Sequence, residues 1–398
     1  MPGTNQNLIK EREKNMKKFI SLALVAAMTA SLAACGGSST ATTTAAADAE
    51  TEAAATESTE AAESTEAAAG EAAMTQVEGS AADEDPLGSA DAKIHFKAGI
   101  TGSMSGAYAA GLVALRNHLE EMSNGEMTVD IYPSSALGNE SDMLDAVSMG
   151  TQDMIVTSTG PIPAFANATA NWAVLDLPYL FPTYETAYEV LDGEVGQFLL
   201  GEFEGTGVKA LGFWENGYRC TTNSKKEIVH PDDLKGMKIR TMENKVHMAT
   251  YTVLGATPTA MAMGEVFSAL QQGTIDGQEN PFSITYYANK LHEVQPYMTE
   301  NNVFYSPSVL AISQDVFDGL TEDQQKILVE AADLAKDEQR QIEQRMAVQA
   351  RKDMEAYGIV ISDIDQDEWI EATKPVYEDS SLGIDADLLA KIQAVTNK

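Results

Sequence analysis

Positive charge and cysteine are both scarce in this chain. Its 398 residues include 26 lysines and arginines against 60 aspartates and glutamates, which gives a formal net charge of −34. Such acidity argues against binding to nucleic acid and against docking on anionic lipid, because both would repel the protein. An acidic protein that binds an anion therefore needs local positive charge at its site. The only two cysteines are Cys35 and Cys220.

Patterns typical of metal ligands and catalytic nucleophiles are also missing. No metal-ligand spacing occurs among the five histidines, His95, His118, His230, His247 and His292. The stretch G-S-M-S-G at Gly102 fails the nucleophile-elbow pattern, because Met104 stands where serine is needed. Arg219 beside Cys220 favours a lowered thiol pKa, but no partner histidine is marked. We therefore expect no metal, no cofactor and no enzymatic activity.

The N-terminus has no apolar run long enough for a confident membrane span. A short basic stretch, Met16-Lys17-Lys18, precedes the apolar run 19–31, which is typical of a secretory signal. The following L-A-A-C resembles a bacterial lipobox, which implies cleavage before Cys35 and lipid attachment to its thiol. Residues 1–35 are then signal, and the protein is anchored to the membrane outside the cytoplasm. The alternative is an ordinary signal peptide, and Met16 is an alternative start.

Residues 36–92 contain no lysine or arginine at all. They are rich in Ala, Thr, Ser, Glu and Asp, and they hold 13 acidic residues. Such a segment cannot bury enough apolar surface to offset its ordering entropy, so we expect a disordered, extended tether. With Cys35 lipidated, Cys220 has no partner, and core packing alone must hold the fold of the 306 residues that follow.

Residues 93–398 alternate between strand and helix patterns. Apolar alternation and turn residues predict strands at 93–100, 127–132, 154–157, 208–214, 237–241, 257–261, 274–277 and 303–313. Helical spacing and capping signals predict helices at 108–123, 140–149 and 184–200. This alternation indicates an α/β fold with a parallel sheet and with ligand loops at the carboxyl ends of the strands. The length suffices for two lobes with cores of their own.

A long helix is expected from Thr321 to Gly358. Thr321 and Gln324 match a capping box, and apolar residues recur at helical spacing to Met354. At 1.5 Å per residue the helix would approach ~55 Å, enough to cross both lobes. The alternative is two helices with a bend in 336–341, where no apolar residue occurs.

Three polar residues stand out between 217 and 281. Arg219 ends N-G-Y-R, Arg240 ends K-I-R, and Asn280 lies in Q-E-N-P. A guanidinium is a planar fork of donors that suits a carboxylate, so this segment predicts anion recognition. Judged alone, Arg240 at the end of a strand is better explained by a structural ion pair, and Asn280 before a proline could cap a turn.

Six motifs in fixed order carry a family resemblance. They are A-L-G-N-E-S-D at Ala136, D-L-P-Y-L-F at Asp176, G-F-W-E-N-G-Y-R at Gly212, D-L-K-G-M-K-I-R at Asp233, G-A-T-P-T-A-M at Gly255 and A-L-Q-Q-G-T-I-D-G-Q-E-N-P at Ala269. Over about 93–362 the chain resembles the DctP-type solute-binding proteins of TRAP (tripartite ATP-independent periplasmic) transporters. The resemblance implies a two-lobed fold of the periplasmic-binding-protein kind, with crossover strands and a long helix spanning both lobes. Lobe I would be 93–216 plus about 304–340, and lobe II 217–303 plus about 341–398.

The resemblance also implies a function and site residues. Such proteins close over an organic acid and deliver it to a membrane permease, so the expected partners are a small acid ligand and TRAP permease subunits. Arg240 would make the main bidentate contact with the ligand carboxylate, supported by Arg219 and Asn280. Met263 stands where the family usually has an aromatic residue, and methionine defines pocket shape less sharply.

Further residues are candidates from their positions. Glu140 begins a predicted helix and would either balance the helix dipole or accept hydrogen bonds from ligand hydroxyls. Hydroxyls at a strand end and aromatic residues near the crossovers complete the set: Thr157, Ser158, Thr159, Trp214 and Tyr305. Core or hinge packing explains Trp214 better than ligand contact. Glu279 is expected to support the site from behind, because a carboxylate beside an anion would repel it.

The sequence does not identify the ligand, nor whether a permease or a signalling receptor takes it up from this protein. C4-dicarboxylates, uronates and other hydroxy or keto acids all fit an arginine clamp. A lipoprotein that hands its ligand to a signalling receptor as a sensor would use the same binding chemistry as a transport protein. Both alternatives share the same predicted pocket.

Overall fold

The computed structural model describes residues 78–397, which belong to one compact unit, Gly70–Lys398. The signal segment, Cys35 and most of the tether lie outside the described residues. In the described range no helix is both long and apolar enough to cross a membrane. The one cysteine there, Cys220, is free and buried.

The described residues form nine strands: β1 Ile94–Gly99, β2 Met127–Tyr132, β3 Met154–Ser158, β4 Val208–Asn223, β5 Lys238–Thr241, β6 Thr257–Ala260, β7 Gly277–Asn280, β8 Tyr297–Ser313 and β9 Val360–Ser362. The α-helices are α1 Ala107–Met122, α2 Glu140–Ser148, α3 Ile162–Phe165, α4 Tyr184–Leu191, α5 Glu194–Gly201, α6 Lys245–Val253, α7 Met263–Gln271, α8 Gln314–Asp318, α9 Glu322–Tyr357, α10 Gln366–Tyr377 and α11 Ala386–Thr396. Short 3₁₀ segments occur at Asn167–Asp176, Pro231–Leu234, Leu291–Val294 and Ser380–Leu382, and a π-helical turn at Ile284–Ala288.

The strands join in one sheet in the order β2-β1-β3-β8-β4-β7-β5-β6, and β9 pairs with β8. Pairing is parallel within β2-β1-β3 and within β7-β5-β6. It is antiparallel where β8 meets β3 and β4, and where β4 meets β7. The expected parallel sheet is therefore observed only in part: the sheet is mixed, because the long crossover strands pair antiparallel with each other, β8 with β3 and β4 with β7. The α/β class and the two-lobed architecture are confirmed.

The crossover strands are the structural link between the two lobes. β4 has 16 residues and β8 has 17, and they pair with each other along almost their whole length. The segments expected at 208–214 and 303–313 are only the lobe I ends of these strands. The other ends carry polar residues that are buried in the ladder, such as Thr221 and Asn301, and alternation of apolar residues does not reveal them.

Helix α9 runs without interruption for 36 residues. The capping box is present, with Thr321 Oγ1 accepting from the Gln324 N–H, and Gly358 ends the helix at a φ of 100°. The polar stretch 336–341 does not divide it into two helices. It turns Gln339 toward β4, where the side chain accepts from the Glu215 N–H at 2.7 Å and donates to the Glu215 carbonyl at 2.8 Å.

Two other expectations fail for local reasons. The helix expected over 184–200 is two helices, α4 and α5, which meet closely at Gly196. A Cβ there would lie 1.7 Å from the Leu191 carbonyl oxygen, so only glycine fits. The strand expected at 274–277 begins only at Gly277, because Thr274 still closes the turn after α7 through a bond to the Ala269 carbonyl.

The end of the assigned tether also needs correction. Residues 80–92 contact the folded unit, although their composition predicts disorder up to Ala92. Arg116 of α1 donates to the Asp85 carbonyl at 2.7 Å, and the Ile131 N–H donates to the Pro86 carbonyl at 2.8 Å. Donors of the folded unit thus order this segment, which its own composition does not reveal.

Candidate functional site

A cavity lies between the two sets of parallel strands, with about 460 Å³ of empty space when the open solvent at its mouth is included. Its walls come from the loop after β1, the first turn of α1, the end of β3, and residues of β4, β5 and β7. Loops at carboxyl ends of strands therefore build it, as the alternating pattern predicts. Six of the predicted residues line it: Glu140, Ser158, Arg219, Arg240, Met263 and Asn280.

Arg240 at the end of β5 is the most exceptional group in the wall. The residue is only 3% exposed. Its Nε and Nη2 both donate to the Met261 carbonyl, at 2.9 and 2.6 Å, while Nη1 has no hydrogen-bond partner among the described residues. Burial lowers the pKa of Arg240 to about 10, so the group stays charged at neutral pH. A buried charge with an unused donor favours an anion from outside the protein.

Arg219 on β4 has a different environment. Its Nε donates to the Glu279 carboxylate and its Nη2 to the Glu279 carbonyl at 2.8 Å. Burial disfavours the charged forms of Arg219 and Glu279, but the opposite charge of each partner stabilises the charged form of the other. The pKa of Arg219 is therefore raised and that of Glu279 lowered. Glu279 supports the site from behind, as its position beside Asn280 predicts.

The ionic network continues behind Glu279. His247 of α6 lies between Glu279 Oε1, 3.4 Å from its Nδ1, and Asp176 Oδ1, 3.6 Å from its Nε2. Its ring stacks on Phe304 at 3.8 Å between centroids. Burial lowers the pKa of His247, but the attraction of the Asp176 and Glu279 carboxylates outweighs it and the net shift is upward. Sequence reasoning missed this network, because its members are far apart in the chain.

Two asparagines stand beside the arginines. Asn280 pairs with Cys220 in the β4–β7 ladder, so it lies next to Arg219 across the strands. Its Nδ2 donates to Gln278 Oε1. Asn216, which sequence reasoning missed, lines the same cavity and donates through Nδ2 to Ser306 Oγ at 3.1 Å. Both side chains are held by the protein, which presents them in a fixed orientation.

The lobe I wall contributes an acidic group. Glu140 is the first residue of α2, after the N-cap Asn139. Its Oε1 accepts from the Ser158 N–H at 2.6 Å, and its Oε2 accepts from Ser158 Oγ at 2.9 Å. Both expected roles therefore remain compatible with its position, since it lies at a helix N-terminus and also lines the cavity.

Tyr108 of α1 is a cavity residue that sequence reasoning missed. It is 6% exposed, and its hydroxyl has no hydrogen-bond partner within residues 78–397, although Ser308 lies beside it. Burial, and then the charge of Glu140, raises the pKa of Tyr108, so the hydroxyl keeps its proton. The position of Tyr108 in the first turn of an apolar helix predicts a core residue. Only the structure shows that it lines the cavity.

Four predicted ligand residues lie outside this cavity wall. Thr157 donates to the Ser158 carbonyl, and Thr159 donates to Asp176 at 3.3 Å. Trp214 is buried in the core near Gly111, and Tyr305 donates to Glu215 at 2.8 Å within an aromatic cluster. Strand alternation explains the threonines, since only Ser158 of the three points to the cavity. These four stay predictions, and the cavity lining does not include them.

The thiol pKa of Cys220 is raised, whereas the neighbouring Arg219 favours a lowered one. The thiol is buried, and burial raises its pKa to about 12 despite the neighbouring Arg219. Its Sγ lies 3.1 Å from Asn302 Oδ1. Such a thiol is unreactive and offers no nucleophile. Likewise, residues 78–397 contain no group of three or more side chains placed to hold a metal ion.

Known proteins match this chain over most of the described range. Residues 102–382 match the family described as bacterial extracellular solute-binding protein, family 7 (DctP). A solute-binding protein of Verminephrobacter eiseniae is 42% identical over 65% of this chain and 76% of its own. The 2,3-diketo-L-gulonate-binding periplasmic protein YiaO of Escherichia coli is 38% identical over 62% of this chain and 75% of its own.

Solved structures give the same answer at the level of the fold. A TRAP periplasmic solute-binding protein from Polaromonas sp. JS666, crystallised with D-erythronate, is 38% identical with a TM-score of 0.73. The match covers 77% of this chain and the whole of that one. Together with the two-lobed sheet and the arginine-lined cavity, these matches show that the chain belongs to the extracellular solute-binding proteins of family 7, the DctP-type binding proteins of TRAP transporters.

Proposed function

We propose that the protein captures an organic acid by its carboxylate and delivers it to a TRAP membrane permease. Arg240 makes the main contact, and Arg219 and Asn280 support the same carboxylate. The observation that carries the proposal is the buried guanidinium of Arg240, whose Nη1 lacks a hydrogen-bond partner in the described chain while it lines the cavity. Relatives named for organic acids, such as diketogulonate and erythronate, support the ligand class.

The charges around the cavity suit one carboxylate. Glu279 already balances Arg219 inside the protein, whereas Arg240 has only a backbone carbonyl as acceptor. A ligand carboxylate supplies the missing countercharge in a water-poor site, where charge-assisted hydrogen bonds are strong. Since a guanidinium binds a carboxylate through two parallel bonds, the contact also orients the ligand.

Contacts between the two walls indicate how the ligand is enclosed. Ser141 of α2 donates to Glu243 at 3.4 Å, and Asn244 donates to the Gly160 carbonyl at 2.9 Å. These bonds join the α2 and β3 side of the cavity to the loop after β5. A ligand that touches both sides would stabilise this closed arrangement by its differential affinity.

Calorimetric titration of the purified full chain with organic acids tests the proposal. The panel is erythronate, galactonate, galacturonate, succinate and diketogulonate, with the methyl ester of the best binder as the control. We expect at least one acid to bind and its ester to lose binding, because the ester lacks the negatively charged carboxylate that accepts two parallel hydrogen bonds from Arg240. Binding of an ester with unchanged affinity would contradict the carboxylate contact.

Delivery and anchoring need separate tests. Uptake of the best acid into cells should stop when the gene is deleted and return with the intact gene. Replacing Cys35 with alanine should release the protein from the membrane if a lipid anchors it, and retention of the Cys35→Ala protein on the membrane would contradict the anchor. No observation favours the sensor alternative, and we do not propose it.

A further inference from the structure

Two glutamates lie buried where helix α9 packs against strand β4. Glu215 of β4 and Glu343 of α9, here called the carboxyl pair, are both fully buried. Among residues 78–397, no lysine, arginine or histidine forms an ion pair with either group. One oxygen of each, Glu215 Oε1 and Glu343 Oε2, also has no hydrogen-bond partner in that range. The proposed function does not use these groups, so their burial needs another explanation.

The other oxygens of the pair have different numbers of donors. Glu215 Oε2 accepts from the hydroxyls of Tyr188 and Tyr305, each at 2.8 Å. Glu343 Oε1 accepts from the Ser283 hydroxyl, which is its one donor in the described chain. A buried negative charge is costly unless it is paired and fully hydrogen-bonded. Neither member of the pair meets both conditions, and Glu343 is the less well supported of the two.

The cation of this region is already used elsewhere. Arg340 of α9 donates to the Asp192 carboxylate at 2.6 and 2.9 Å and to the Phe213 carbonyl at 2.9 Å. The titratable groups that act on the pair are Tyr108 of α1, Tyr184 and Tyr188 of α4, Tyr218 of β4, Tyr305 of β8 and Arg340 itself. The tyrosines are neutral, because burial raises the pKa of each. A buried carboxyl group in such surroundings keeps its proton.

The pKa shifts agree with this geometry. Burial raises the pKa of Glu215 to about 7, although the tyrosine hydrogen bonds and the charge of Arg340 oppose the shift. Burial also raises the pKa of Glu343 well above its ordinary value, and the charge of Glu215 raises it further. The pair therefore holds at least one proton at neutral pH, and its members titrate together.

The carboxyl pair lies directly behind the ligand cavity. A Cβ on Gly217 would lie 3.2 Å from Glu343 Oε1 and 3.2 Å from Pro281 Cβ, so this carboxyl group packs against β4 and the segment after β7. Gly217 follows Asn216 and Pro281 follows Asn280, and both asparagines line the cavity. An anion in the cavity is therefore a like charge close to the pair, and a like charge raises the pKa of a carboxyl group.

We infer that Glu215 and Glu343 form a proton site behind the cavity, and that this site takes up a proton from the solvent when the protein captures its acid. The inference rests on the proposed function, because the negative charge of the captured carboxylate drives the uptake. Since the liganded pair binds more protons than the free pair, affinity is full at low pH and falls as the pH rises above neutrality. The proton thus acts as a second ligand of the protein.

Calorimetry in two buffers counts the proton. The full chain is titrated with erythronate, galactonate, galacturonate and succinate in phosphate and in Tris, whose ionisation enthalpies differ, so the difference in heat gives the protons taken up. For each acid that binds, we expect uptake of about 0.3–0.7 proton at about pH 7.5 and a loss of affinity of about threefold or more between about pH 6 and pH 8.5. Binding with no proton uptake would overturn the inference.

Variants assign the proton to the pair. Glutamine has the shape of a protonated glutamate, so the double variant Glu215→Gln with Glu343→Gln should bind the same acid without uptake. Glu330→Gln, at an exposed position of α9, is the matched control and should keep the full uptake. Uptake that persists in the double variant would place the proton elsewhere, for example on His247, and contradict the inference. If the double variant does not fold, the single variants decide, and wild-type uptake in both would contradict it.

Infrared spectroscopy tests the proton site without any acid. At about pH 7.5 most carboxyl groups of the protein are ionised. We expect the wild-type spectrum to contain the C=O band of a protonated carboxyl group, which Glu343→Gln removes and Glu330→Gln retains. A wild-type spectrum without this band, or a band that survives in Glu343→Gln, would overturn the proton site.

Failure of the proposed function gives a different pattern. If none of the four acids binds, the carboxylate clamp is wrong and the coupled uptake falls with it, while the infrared band still decides whether the pair holds a proton. If acids bind, depend on Arg240 and bring no proton with them, the inference alone is wrong.

Discussion

Arg219 and Arg240 line the same cavity from neighbouring parts of the sheet, yet their surroundings differ. Arg219 is paired inside the protein, with the side chain and the carbonyl of Glu279, and His247 extends the pairing to Asp176. Arg240 has only the Met261 carbonyl and an unused Nη1. The difference separates two roles: Arg219 is held by its internal ion pair and can only support the ligand carboxylate, whereas Arg240 is left free to make the main contact.

The largest effect is expected from removing the internal countercharge of Arg219, the Glu279 carboxylate. Glu279→Gln leaves Arg219 buried without its carboxylate and leaves His247 with Asp176 alone. Loss of one partner of a buried ion pair costs about 3–5 kcal/mol. We expect the free energy of unfolding, from denaturant titration at pH 7, to fall by this amount. The matched control is Glu300→Gln, whose partner Arg351 is about one-third exposed; its loss should cost under about 1 kcal/mol. Equal losses in both variants would contradict the structural role of the network.

The same network predicts a pH dependence. The pKa of Glu279 is lowered in the folded protein, so its contribution is full above the ordinary value of 4.5 and is lost as the pH falls below it. The pKa of His247 is raised, so its contribution is full below 6.5 and is lost as the pH rises through the raised value. Wild-type stability should therefore decline on both sides of a plateau at about pH 5–6. Glu279→Gln should decline less on the acid side, and parallel profiles would contradict the assignment.

The second test concerns Arg240. Arg240→Ala should weaken binding of the best acid by about 2–5 kcal/mol, because it removes the desolvated partner of the carboxylate. Arg240→Lys should fail as well, since an ammonium cannot make the two parallel bonds. The free protein should keep its stability in both variants, as Arg240 has no carboxylate partner to leave behind. Calorimetry and thermal unfolding measure the two effects separately.

A matched control for that test is Arg345→Lys, an exposed position on α9. It should leave both binding and stability unchanged. Wild-type affinity in Arg240→Lys would show that the bidentate contact is wrong. A large loss of stability in Arg240→Ala would place Arg240 in the fold and remove the contrast with Arg219.

Sequence reasoning predicted six residues that line one cavity, and it was less accurate for the elements around them. The order and spacing of the motifs led directly to Arg219, Arg240, Asn280 and Glu140, because such motifs encode a polar group on a strand or helix end. Periodicity also located most elements, including the capping box at Thr321. Each of these signals lies within a short stretch of chain.

What could not be predicted depends on contacts between distant segments. The strand Gly277–Asn280 buries polar residues because Arg219, 60 positions earlier, pairs with Glu279. Tyr108 lies among apolar residues in the sequence, which predicts a core position. It lines the cavity only because α1 packs near β4 in the folded protein. Thr157, Thr159, Trp214 and Tyr305 do not line the cavity, because the direction of each side chain is set by its partners in the fold.

The smallest expected effect is on overall shape. The carboxylate contacts come from β4, β5 and β7, whereas Glu140, Ser158 and Tyr108 come from the opposite wall. A ligand that bridges them favours closure, and the crossover strands with α9 can flex while they stay folded. Small-angle scattering should show a slightly smaller radius of gyration when the best acid is added. Arg240→Ala with the same acid should show no change. An unchanged radius for the wild type at saturation would mean that the cavity is already closed without ligand, and that the lobe I wall selects the ligand without being moved by it.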